Sequence, residues 1–203
     1  MVMLPLSLEQ LIQELSKLPS IGRKTAKRLA FSILEKPDRE AHHLAEAIVQ
    51  AKQNISSCNI CYGLSEETVC SICANPKRNQ DIICIVEEPK NIYTIEKGGF
   101  YFGVYHVLHG AISPIHGVSP DHLKIRELES RIQNTAPKEV IIATNPTIEG
   151  EATAHYLTDL LQDRVNIISR IARGIPSGSD MEFADSVTLT RAFEGRTDYF
   201  RSQ

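Results

Sequence analysis

Four of the chain's five cysteines fall in two Cys-x-x-Cys pairs, Cys58-Asn-Ile-Cys61 and Cys70-Ser-Ile-Cys73, with eight residues between the pairs. Four thiolates at this spacing are the donor set of a tetrahedral metal site. Each pair turns a tight knuckle that aims two sulfurs at one point, and the loop Tyr62–Val69 brings the second pair back. Zn2+ suits such ligands, because a d10 ion imposes no geometry of its own and thiolates satisfy its charge. A rubredoxin-like iron centre fits the same ligands, and two disulfides would use the same four residues. Nothing else in the chain calls for redox chemistry or an oxidising compartment. No fifth donor suggests an open coordination position, so the expectation is a closed, structural Zn2+ site.

A second group of residues is electrostatic. Pro19 and Gly22, in Leu18-Pro19-Ser20-Ile21-Gly22, end one helical pattern and open the next at once. On the following helix Arg23, Lys24, Lys27 and Arg28 fall within an arc of roughly 140°, with Ala26, Leu29, Ala30 and Ile33 opposite. A solvated basic face on an ordinary surface helix is the competing reading. The stretch resembles the helix-hairpin-helix DNA-binding motif, whose hairpin usually reads Pro-Gly-Ile-Gly. Ser20 stands at the first glycine here, and Gly22 is kept. The resemblance implies that turn N–H groups and the next helix's N-terminus hold a phosphate, helped by Arg23, Lys24, Lys27 and Arg28, with little base readout.

A third group is acidic. Glu87 and Glu88 close the apolar run Asp81-Ile-Ile-Cys-Ile-Val, and Asn145-Pro-Thr-Ile-Glu-Gly-Glu151 follows Val140–Thr144. These stretches resemble the Toprim domain of topoisomerases, bacterial primases and some nucleases. In its catalytic members a glutamate ends the first strand and an Asp-x-Asp follows a later one, together holding Mg2+. Glu87 matches the glutamate, and Glu149 and Glu151 match the acidic run after the aspartates. At the Asp-x-Asp itself stand Asn145 and Thr147. Replacing two carboxylates by an amide and a hydroxyl leaves Mg2+ weakly held or absent, and activating a nucleophile needs a well-fixed ion. The expectation is a scaffold kept for binding, with Glu87, Asn145, Thr147, Glu149 and Glu151 as a degenerate acidic site offered to a partner.

The elements that must position these groups follow from periodicity. Leu8, Leu11, Ile12, Leu15 and Leu18 take helical spacing, with Ser7 and Gln10 as a capping box, and Asp38–Ile55 is a further amphipathic helix. Asp81–Glu87 is apolar throughout, as in a parallel strand buried on both faces, which makes Cys84 a core residue. Strands are expected at Tyr105–Leu108, Glu139–Thr144 and Val165–Ile168, and helices at Lys90–Lys97, Pro120–Asn134 (Ser119 as cap) and Glu149–Leu161. This alternation implies a doubly wound α/β layer with ligand sites at the carboxyl ends of its strands. The expected organisation is an α/β multi-module chain: a helical helix-hairpin-helix region over 1–55, a zinc finger over 56–78, a Toprim domain over 79–175 and a tail over 176–203.

The 203 residues carry a net charge of −3, which excludes a globally basic nucleic-acid binder. The basic excess is local: residues 1–55 hold 8 Lys+Arg against 6 Asp+Glu. No apolar run reaches the ~18–20 residues of a membrane span, and Met1–Leu18 lacks the cationic lead of a signal peptide. The chain therefore reads as cytoplasmic, with no membrane partner.

The whole order of modules resembles the RecR family of bacterial recombination mediators. Further matching stretches are Val107–Pro114, Ala143–Ala154 and Ile171-Ala-Arg-Gly-Ile-Pro176. The resemblance implies recombinational DNA repair with RecO and RecF, helping to load the strand-exchange recombinase. It also implies homo-oligomers, dimers assembling into a ring or clamp. Alternating residues around Ser186–Thr190, with Phe193, could pair across subunits or pack on their own subunit. An active Mg2+-dependent nuclease or topoisomerase-like enzyme, and an interaction scaffold that never touches DNA, are the rival functions.

Overall fold

The computed structural model describes residues 4–197. The chain divides into two compact units, Met1–Ile55 and Ser56–Gln203.

The first unit is helical: α1 (Leu6–Ser16), α2 (Arg23–Leu34) and α3 (Asp38–Asn54). Leu8 and Ile12 of α1 meet Ala26 and Ala30 of α2 in a small core flanked by Leu4, Leu11, Leu15 and Ile21. The two alanines allow close approach, and the short turn between α1 and α2 holds them side by side. The expected Ser7–Gln10 capping box is not formed. Pro5, with its dihedrals already extended, stands at the N-cap without a side-chain cap, so the helix begins two residues earlier and Ser7 lies inside it. None of the 17 residues of α3 is buried, although its apolar stripe is intact: Leu44, Ile48 and Val49 lie open.

In the second unit a parallel sheet carries β3 (Asn79–Val86), β4 (Gly103–Val107), β5 (Glu139–Ile142) and β6 (Ile167–Arg170) in the order β4-β3-β5-β6; a two-stranded antiparallel hairpin, β1 (Ser56–Ser57) and β2 (Leu64–Ser65), precedes it. Both faces of the sheet are covered, as parallel sheets require. One face packs Ile83, Ile85, Val140 and Ile142 against Leu128 and Ile132 of α5 (Ile125–Thr135) and Leu157 and Leu161 of α6 (Ile148–Leu161). The other packs Cys84, Val86 and Tyr105 against Ile92 of α4 (Pro89–Glu96). The chain turns one way from β3 to β4 and the other way from β4 to β5. The carboxyl ends of β3 and β5 therefore form the switch point where such sheets carry their sites.

Three expectations shift. The segment Pro120–Asn134 is not one helix: Pro120–His122 is a single 3-10 turn capped by Ser119, Leu123 runs extended with its side chain buried in the core, and α5 starts afresh at Ile125. The last strand, Ile167–Arg170, lies two residues later than Val165–Ile168. The tail around Ser186–Thr190 is a helix, α7 (Ser186–Glu194), and not an extended segment. Asp185 decides this by capping α7, its carboxylate accepting from the Thr188 N–H at 2.8 Å and the Thr188 hydroxyl at 3.0 Å.

Candidate functional site

The four cysteines come together as two knuckles. Tyr62 N–H donates to Cys58 O at 2.9 Å and Ala74 N–H to Cys70 O at 3.0 Å, closing each Cys-x-x-Cys into a turn. Tyr62 takes a left-handed φ of 62° to end the first. The sulfurs of Cys58, Cys61, Cys70 and Cys73 all lie within 4.8 Å of one another, and Cys61 and Cys70 are 3.6 Å apart. Tetrahedral Zn–S bonds set sulfurs about 3.8 Å apart, so the donor set and its spacing fit. Backbone N–H groups of Ile60, Gly63 and Cys70 point at sulfurs of Cys58 and Cys61 at 3.3–3.4 Å, as they do at thiolates. The thiol of Cys73 donates to Cys61, and this bond, with the Gly63 N–H, outweighs burial and holds Cys61 down to about 5. Cys73 itself is pushed well up by the same bond. Cys84 lies in the core, pushed up to about 12 by burial, and takes no part.

This module is fastened to the sheet. Val107 N–H donates to Cys61 O at 2.8 Å, so the first knuckle covers the open edge of β4, and a ring nitrogen of His109 meets Tyr62 O at 2.8 Å. Arg131 of α5 completes the link, its guanidinium bonding Tyr105 O at 2.5 Å and reaching Ile60 O at 3.4 Å. Burial draws Arg131 below the usual guanidinium value, and the cysteine sulfurs oppose that shift. Nothing in the sequence marks Arg131 for this role, because one arginine on an amphipathic helix gives no signal of what lies across from it.

At the switch point Glu87 is buried at 7% exposure, and its carboxylate accepts from Asn145 twice, from the backbone N–H at 2.8 Å and from the side-chain amide. Thr147 caps α6, its hydroxyl accepting from Gly150 N–H at 3.1 Å. Gly150 must be glycine: an added Cβ would stand 2.0 Å from Asn145 O and 2.8 Å from Glu87 Oε1. The structure thus brings Glu87, Asn145, Thr147 and the start of α6 together. The carboxylates are largely engaged within the chain. Glu151 meets Arg170 at 2.9 Å, Arg173, and Arg191 at 4.0 Å. Burial would raise the Glu151 carboxyl, but Arg170 and Arg173 more than offset it and hold it low. Glu149 is half-buried in the first turn of α6, where its backbone O accepts from the Thr153 hydroxyl at 2.7 Å.

In the helical unit the hairpin keeps its form despite Ser20. That residue adopts φ 65°, the left-handed conformation that the motif's glycine supplies. Gly22 is the N-cap of α2 with no side-chain cap, so the helix's first N–H groups are open. A Cβ at Gly22 would touch nothing within 4 Å, so the fold itself places no steric demand for glycine there. Arg23, Lys24, Lys27 and Arg28 are all exposed. Arg23 pairs with Glu9, and Lys27 lies 5.9 Å from the Phe31 ring centroid.

A hairpin-bearing helical unit, a four-cysteine module and a parallel sheet with a carboxylate at its switch point define a Toprim-type protein with a helix-hairpin-helix unit. Residues 81–172 match the Toprim domain, residues 8–52 the RecR helix-hairpin-helix region and residues 174–197 the RecR C-terminal region. The chain belongs to the RecR family. It is 51% identical over 189 residues to the recombination protein RecR of Koribacter versatilis, covering 93% of this chain and 95% of that one. The RecR of Clostridium perfringens is 51% identical over 193 residues, covering 95% and 97%. That of Carboxydothermus hydrogenoformans is 50% identical over 187 residues, covering 92% and 94%. Among the described residues no helix is long and apolar enough to cross a membrane.

Proposed function

We propose that the chain is a DNA-binding recombination mediator that acts without catalysis, working with RecO and RecF to help load the strand-exchange recombinase. The observation that carries this reading is the uncapped start of α2. Open N–H groups, an unhindered Gly22 and four exposed cations meet at one turn, as phosphate binding needs and a merely structural turn does not. Relatives over nearly the full length bear the name recombination protein RecR. Zn2+ is the ion the four cysteines hold, through Cys58, Cys61, Cys70 and Cys73, and when bound it supplies a cross-link for a module too small to build its own core.

The absence of catalysis rests on donor chemistry. Asn145 gives Glu87 hydrogen bonds where the catalytic members' aspartate would offer Mg2+ a charge, and Thr147 is engaged as a helix cap. The same end of the sheet (Glu87, Asn145, Thr147, Glu149, Glu151) is proposed as the surface that meets RecO, and Glu149→Arg with intact RecO binding would remove it from that role. The bare apolar stripe of α3 supports self-assembly into a dimer or tetrameric ring.

The deciding experiment is binding of labelled DNA across a salt series by the wild type and by Lys24→Glu/Lys27→Glu. The wild type should bind with a steep salt dependence. The variant should bind far more weakly, with the salt slope smaller by roughly one for each phosphate it no longer neutralises. Equal binding by both proteins would end the hairpin reading, and plasmid nicking in Mg2+ by the wild type would end the non-catalytic one.

A further inference from the structure

Arg170, Arg173 and Arg191 come from three segments, the end of β6, the loop after it and the middle of α7, and line one cleft of about 510 Å3. Thr144, Pro146 and Asp185 line it too. An adjoining hollow of about 390 Å3 shares the three arginines and adds Glu194. The guanidiniums use few of their donors within the chain. Arg170 bonds Ile142 O at 3.0 Å and Glu151 at 2.9 Å, Arg173 bonds Glu151, and Arg191 reaches Pro146 O at 3.2 Å. Each guanidinium offers five N–H donors, so most remain uncommitted among the described residues. Arg170 Nε is buried with no acceptor among the described residues, which is rare for a native polar group. Three carboxylates stand near these cations, Glu151, Asp185 and Glu194; Asp185 is already occupied as the cap of α7, and of the three only Glu151 pairs with the arginines among the described residues.

We propose that this cleft binds a phosphate group, the phosphodiester backbone of nucleic acid being its foremost source. Guanidinium forks match phosphate oxygens two at a time, and a tetrahedral anion has more oxygens than the Glu151 carboxylate to share among donors arriving from three segments. The place agrees, since ligands of parallel sheets lie outside the strands' carboxyl ends. Glu151 holds the forks in position and competes with the ligand for them. The proposal does not depend on the hairpin.

The test therefore uses full-length protein carrying Lys24→Glu/Lys27→Glu, so that neither site masks the other. It is titrated with a short fluorescein-labelled oligothymidylate and, separately, with inorganic pyrophosphate at one fixed ionic strength, with thermal melting as the check on folding. Binding is expected to survive the hairpin changes, to weaken about tenfold with Arg173→Ala and to tighten with Glu151→Gln. The two substitutions remove the same ion pair, so opposite signs separate ligand binding from a structural effect. Arg191→Ala, whose contact with Glu151 is the longest at 4.0 Å, serves if Arg173→Ala melts early. Oligothymidylate binding without pyrophosphate binding supports the site with nucleic acid as its source, and equal binding of both supports it with free phosphate. The proposal falls if neither probe binds, if the arginine variants bind as the parent does, or if polyglutamate binds better than either probe.

Discussion

Asn145 donates both its backbone N–H and its side-chain amide to the two oxygens of the Glu87 carboxylate. One amide thus turns a pair that would hold a cation into a self-satisfied contact at the switch point of the sheet. Replacing it by aspartate should reverse that logic. Asn145→Asp sets a second carboxylate against the buried Glu87 and should destabilise the unit by about 1–3 kcal/mol. Mg2+ should recover part of that loss in the variant and none in the wild type. Thermal melting with and without Mg2+ reads both effects, and a variant as stable as its parent in the absence of metal would contradict the account.

The hairpin offers a backbone test. Ser20 has a left-handed φ of 65°, which a Cβ disfavours. Ser20→Gly removes that strain but loosens the unfolded chain, so a gain of no more than about 1 kcal/mol is expected. Ser20→Val should destabilise by roughly 1–2 kcal/mol, because branching at Cβ is worst in this region. Chemical denaturation of the three proteins orders them Gly, Ser, Val. Any other order would mean that the turn is held by something besides its backbone.

What the residues revealed and what they hid divides along physical lines. Doubled Cys-x-x-Cys pairs and the apolar run of β3 were legible because each is set by local geometry or by a strand's two buried faces, whereas Glu87 and Asn145, 58 residues apart, were linked only by the resemblance to the Toprim domain. Helix starts were less so. Ser7 and Gln10 make a good capping box on paper, yet Pro5 fixes the entry first. Pro120–Asn134 carries a helical pattern, yet Leu123 is drawn into the core and breaks it. The partners of Glu151 could not be read at all. Arg170, Arg173 and Arg191 are 19 to 40 residues away, and only the crossover through α6 and the helical tail bring them near.

Arg131 ties the cysteine module to β4 and α5. Its charge lies opposite a cluster that would carry excess negative charge with a divalent metal bound, so its removal should affect metal retention as well as packing. Arg131→Met keeps much of the stem's volume and removes the charge and both bonds. It should destabilise the unit by roughly 2–4 kcal/mol and speed loss of metal to a chelator. Cys58→Ser should abolish stoichiometric metal altogether. Elemental analysis and the rate of Zn2+ release to a coloured chelator measure the two. Release from Arg131→Met at the wild-type rate would make the arginine a packing residue only.

His106 provides a pH signature independent of metal. It lies wholly buried on β4 with Nε2 donating to Lys124 O at 2.8 Å, Nδ1 without a partner, and its ring 5.4 Å from that of Tyr62 at a steep angle. Burial disfavours the imidazolium and pushes its pKa down to about 4, although the Lys124 carbonyl pulls the other way. In the unfolded chain the ring takes its proton near 6.5. Between those values the unfolded state binds a proton that the folded state refuses, so unfolding becomes easier as the pH falls. The stabilisation is complete above about pH 6.5 and is lost progressively toward pH 4, on the order of 3 kcal/mol in all. Acid also protonates cysteine ligands and frees metal, which would steepen the fall in any variant. The comparison is therefore between wild type and His106→Gln at each pH, since glutamine can still donate to Lys124 O and does not titrate. Urea denaturation should show the stability of the wild type relative to the variant falling steadily from pH 7 to pH 4. A constant difference would mean that His106 takes its proton in the folded protein at the same pH as in the unfolded chain.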